Sequence, residues 1–135
     1  MCHIVILVPS MENDWPADSE GKPNYHPIEP HLLYEHSLGE KENWPHKFDR
    51  IARSKAFQLW HGRNDGRTDC IPHLLFRGDT PWWGGVKRDG IVVSCSGFQP
   101  HFDRMFAGMI AEMCVGMAYD DWAEARSKLH GDFLG

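Results

Sequence analysis

Lys55 has the most informative place of any residue that could do chemistry. At 100° per residue, a helix over residues 47–61 gathers Phe48, Ile51, Ala52, Ala56 and Leu59 on one face, and Lys55 falls among them. Burying an unpaired ammonium is costly. Such a lysine must run its stem along the core to water, find a partner, or lower its pKa. At a pocket edge it binds a carboxylate or exchanges a proton. Nine histidines and six tryptophans are the other notable counts. His26, His31 and His36 are spaced by five, so His31 and His36 face opposite sides of one strand and cannot chelate one metal from it. Cys70-x-x-His73 is a lone pair, no zinc-type spacing is present, and no metal site is expected. A single imidazole is nonetheless enough for a haem iron. His101 follows Pro100 at the start of the last helix, where free N–H groups favour anions.

Trp82-Trp83-Gly84-Gly85 combines two large rings with two residues that permit close backbone approach. Alternation along a strand sends one ring inward and one outward or into a cleft. The chain has no P-loop, no G-x-G-x-x-G and no G-x-S-x-G, and Ser96-Gly97 does not by itself make a nucleophile elbow.

These residues need elements to position them. Residues 3–8 form a β-branched run that reads as a buried strand ended by Pro9. Residues 9–30 hold five of the nine prolines and read as an irregular insertion. Residues 31–37 read as a second strand and 70–76 as a strand weakened by Pro72. The helix over 47–61 lies between Pro45 and Gly62. Residues 82–87 and 91–96 flank Arg88-Asp89-Gly90, a hairpin signal. Pro100 opens the longest helix, with Asp103 in its first turn. Its stripe of Phe102, Met105, Phe106, Met109, Ile110, Met113 and Met117 predicts a core seam. Gly116 is expected to weaken this helix and Asp120-Asp121 to start a separate turn. The order of elements predicts one α+β domain over 1–135, an antiparallel sheet packed by helices.

The composition excludes some partners. The net charge is −5, and residues 1–50 carry nine acidic and four basic side chains against ten of each in residues 51–135. An acidic chain without a basic stripe is not expected to bind nucleic acid or a polybasic-seeking membrane surface. No apolar window approaches the ~20 residues of a membrane span. Residues 4–8 are too short for a signal segment. Cys2, Cys70, Cys95 and Cys114 are widely spaced and read as reduced thiols of a cytoplasmic protein.

Several of these residues recur together in a known family. Ile51-Ala52 before Lys55-Ala56, the Gly84-Gly85 pair, and Ser94-Cys95-Ser96-Gly97 followed by Asp103 and Ala107 resemble the GlcG/HbpS-like family over residues 48–112. The chain departs from that pattern at Val86-Lys87, where a proline is expected, and at His36-Ser37-Leu38-Gly39-Glu40, in place of an Arg-x-Asp segment. The Pro-rich insertion at 9–30 is extra. The resemblance implies a profilin-like α+β domain, a homo-oligomer and a haem-like tetrapyrrole as ligand. Lys55 would then face a pocket near Gly84, Gly85, Ser96 and Gly97. It would neutralise a ligand carboxylate while Trp82 or Trp83 stacks, with Asp103 nearby and His36 or His101 as the axial ligand. Two other readings stand beside this one. In a cofactor-free enzyme on a small aromatic or carboxylated metabolite, Lys55 and His36 do acid/base work tuned by Glu35 or Asp103. In a structural oligomer, Lys55 is deep, paired to a carboxylate, and has no cavity beside it.

Overall fold

The computed structural model describes residues 1–10, 28–66 and 72–131. Four strands form one antiparallel sheet: β1 (Cys2–Pro9), β2 (Pro30–Leu38), β3 (Gly85–Arg88) and β4 (Ile91–Ser96), in the order β2-β1-β4-β3. Helix α1 (Phe48–Trp60) follows β2, and helix α2 (Pro100–Ser127) follows β4. This is the α+β, antiparallel single domain expected.

Local chemistry explains most boundaries. Asp89 and Gly90 both take positive φ, 48° and 80°, as a two-residue hairpin between twisted strands requires. Pro100 occupies the first turn of α2, where a missing N–H costs nothing. Pro9 and Pro30 face each other at the ends of β1 and β2, and one further backbone bond, from the Ser10 N–H to the Glu29 carbonyl at 2.9 Å, follows them. Most of the Pro-rich insertion, residues 11–27, lies outside the described residues.

The two helices cover opposite faces. On one, Val5, Leu7 and Val92 meet Ala52, Ala56 and Leu59 of α1, all buried. On the other, Ile6, Val86, Val93 and Cys95 meet Ala107 and Ala111 of α2.

Three local expectations are corrected. The described part of 70–76 carries a 3-10 turn over Pro72–Leu74 and no strand; Cys70 lies outside the described residues. Helix α2 passes Gly116 and Asp120 without a break. The methionine stripe is not a core seam: Met105, Met109, Met113 and Met117 are exposed, the last three by 59%, 65% and 67%. The helix meets the sheet through Ala107, Gly108 and Ala111 instead, because small side chains let its backbone come close. Among the described residues no helix is long and apolar enough to cross a membrane, and no group of three His, Cys, Asp or Glu is placed to hold a metal ion.

Candidate functional site

Lys55 projects from the sheet-facing side of α1 toward the end of β4. Its Nζ donates to the Cys95 carbonyl and to Asp103 Oδ2, both at 2.9 Å. The two side chains of the pair are 2% and 3% exposed. Asp103 Oδ1 accepts the Phe98 N–H at 3.0 Å, so one carboxylate ties α1, the β4–α2 turn and the start of α2 together. Burial raises the Asp103 carboxyl above its usual value, against the pull of the Lys55 ammonium and the Phe98 N–H.

Glycine makes this approach possible. Gly84 has φ of +126°, and a Cβ there would lie 2.7 Å from Asp103 Cβ and 3.2 Å from Lys55 Nζ. Gly97 has φ of +145°, and a Cβ there would fall 2.2 Å from the Met1 carbonyl oxygen. Gly85 is equally tight against Leu59 and the Val93 carbonyl.

A cleft of about 510 Å³ opens at this end of the sheet, within the usual range for small-molecule sites. Phe48, Trp82, Phe98 and Phe102 form much of its wall, with His46 at the rim and Ser96, Gly97 and Asp103 at the base. The Trp82 N–H donates to Thr80 Oγ1 at 3.3 Å, and Thr80 is itself braced from α1. Gln58 Nε2 donates to the Thr80 carbonyl at 3.2 Å, and the Thr80 N–H donates to Ser54 Oγ at 3.0 Å. Beyond Trp82 and Ile51 lies a shallower hollow of about 270 Å³ that includes Lys47 and Arg50.

Of the residues singled out in the sequence, Trp82, Ser96, Gly97 and Asp103 meet at the cleft. Lys55, Gly84 and Gly85 lie directly behind it, so Lys55 reaches the cleft through Asp103, which already holds its charge. The strand expected over 82–87 begins only at Gly85, so Trp82 and Trp83 precede it and strand alternation does not place them; Trp83 is half-buried outside the lining. His101 is exposed on the first turn of α2, its ring 4.4 Å from Phe102. His36 and Glu35 point to opposite faces of β2. Glu35 is on the α1 side; His36 is exposed on the other and does not join Lys55.

Sequence reasoning missed His46, Phe98 and the partners of Glu35. His3 is buried on β1, its Nε2 2.7 Å from Glu35 Oε1 and its Nδ1 2.8 Å from Ser37 Oγ. Arg53 also donates to Glu35. The alternation of β1 held the signal for His3, since His3, Val5 and Leu7 share one face. Burial pushes Glu35 up, but the hydrogen bonds and charges of His3 and Arg53 outweigh it and hold the carboxyl below its usual value.

No protein-family model, curated protein or solved structure matches this chain.

Proposed function

We propose that the protein binds a small planar aromatic ligand in the cleft between Trp82 and the start of α2. A haem-like tetrapyrrole is the leading class. The observation that carries this reading is the cleft: about 510 Å³, walled by four aromatic rings and set on a rigid buried ion pair. Aromatic walls stack a planar ring system. The donor set fits a tetrapyrrole. His46 is the imidazole at the rim, and Lys47 and Arg50 in the adjoining hollow suit carboxylate arms. Bound there, such a group would supply redox or gas-binding chemistry, while this chain orients it, stacks it and excludes water from one face. His46, which lines the cleft, would hold the iron in place of His36 or His101, the histidines that the family resemblance suggested.

Titration with hemin, wild type beside His46→Ala and Trp82→Ala, tests this. The expected result is a saturable Soret shift, altered in position by His46→Ala and weakened roughly tenfold or more in affinity by Trp82→Ala. No shift, or one unchanged in both variants, overturns it.

The buried pair favours a second reading, acid/base catalysis on a small aromatic metabolite with Asp103 as the proton-exchanging group and Lys55 as its charge partner. Carboxyl carbon NMR tests it. An Asp103 midpoint at or below the ordinary 3.8 removes the case.

A further inference from the structure

Helix α2 is 28 residues long, about 42 Å, whereas the six-residue β4 beneath it spans about 20 Å. Its buried residues end at Ala111. The turns beyond Val115 pack on no strand, and an isolated helix of that length is marginal in water. Gly108, on one flank of α2, packs against Arg88 and Val86 of β3. The stripe of Phe102, Met109, Met113 and Met117 runs from the outer side of α2, opposite Ala107 and Ala111, onto the flank away from β3, which borders β1 and β2. There Tyr34, His36 and Leu38 of β2 stand exposed on the α2 side of the sheet. Helix flank and strand face thus make an open apolar corner.

We infer that a second copy of this chain fills that corner, with the two α2 helices packed antiparallel about a twofold axis near Met109–Met113. Three observations favour a copy over another occupant. The first is area. Exposures of 46–67% on Phe102, Met109, Met113, Met117, Tyr34 and Leu38 amount to on the order of 650 Å² per copy, a little under the ~800 Å² each partner gives a standard interface. The second is composition. The stripe carries no charge from Phe102 to Met117, since Glu112 turns away to pair with Arg88. An apolar patch of this size is rare on a monomer. The third is polarity. Antiparallel pairing sets the acidic Asp120, Asp121 and Glu124 of one helix beside the N-terminus of the other, whose dipole favours negative charge. A self-complementary patch of this kind closes as an isologous dimer.

Sedimentation velocity on the full chain tests the assignment. At about 10 µM the wild type is expected to run at twice the chain mass of 15.5 kDa. Met113→Glu and Leu38→Glu, each on a different element of the corner, should raise the dissociation constant at least about 100-fold, and Met113→Leu should leave it unchanged. Far-UV circular dichroism confirms that each variant is folded. If one glutamate variant fails to fold, the other decides. A monomeric wild type, or a dimer indifferent to the folded glutamate variants, overturns the inference. So does a monomer that instead floats with lipid vesicles or holds a different protein.

Discussion

The two faces of the sheet are packed by opposite rules. Under α1 the helix turns its larger apolar side chain, Leu59, and two alanines onto Val5, Leu7 and Val92, and the exposed flank is mostly polar. Under α2 the helix turns alanine and glycine onto the sheet and leaves phenylalanine and methionine outside. The first face is finished within one chain. The second is a thin seam with a broad apolar margin. Size of side chain therefore marks the core on one helix and the free surface on the other.

The largest effect that would sharpen this contrast is expected at the ion pair joining the two layers. Lys55→Ala should cost about 3–5 kcal/mol in urea unfolding, because it strands a buried carboxylate. Lys55→Met with Asp103→Leu should recover most of that loss. Equal losses in the single and double variants would show that packing, not charge, is at stake. Gly84→Ala comes next, at about 2–4 kcal/mol by thermal unfolding, since neither the φ nor the space accepts a Cβ. Ala107→Leu should cost about 1–3 kcal/mol by prying α2 off the sheet, whereas a neutral result would mean the seam is slack.

A smaller effect belongs to the α1 side. Glu35, held below its usual value, binds fewer protons folded than unfolded. Its stabilising contribution is thus present above the ordinary 4.5 and is lost as pH falls through the folded value. Urea midpoints between pH 6 and pH 3 should fall less steeply in Glu35→Gln, and parallel slopes would remove that role. The smallest effect is expected at the margin of α2. Met113→Ala, measured at a concentration that keeps the chain monomeric, should change stability by no more than about 0.5 kcal/mol.

The fold was largely legible because punctuation residues do local work. Pro9, Asp89-Gly90 and Pro100 act through their own backbone dihedrals, which sequence alone specifies. Placing Lys55 on the core face of α1 was equally local, a matter of helical angle. Its partner was not. From its local pattern Asp103 read as a dipole-complementing acid in a first turn, and its place near Lys55 was suggested only by the resemblance; the packing of α2 on the sheet brings together two residues 48 positions apart. The methionine stripe misled because periodicity shows that a face is apolar but not what it faces. The contact runs instead through Ala107, Gly108 and Ala111, small residues whose spacing was not read as a packing surface. The positions of the histidines were hidden for a related reason: strand parity separates His36 from Glu35, and His46 lines the cleft from a turn whose course no periodicity describes.

The seam under α2 also hides a thiol. Cys95 is 1% exposed there, and burial, with Cys2 and Asp103 as neighbours, pushes its thiol up to about 12. Only a thiolate attacks an alkylating reagent, so the native chain is chemically silent at this position. A second thiol, Cys114 on α2, is half-buried at the margin of the same cluster and closer to solvent. Timed labelling therefore turns the pair into a stopwatch: the lag between Cys114 and Cys95 records how often the long helix lifts away from its sheet.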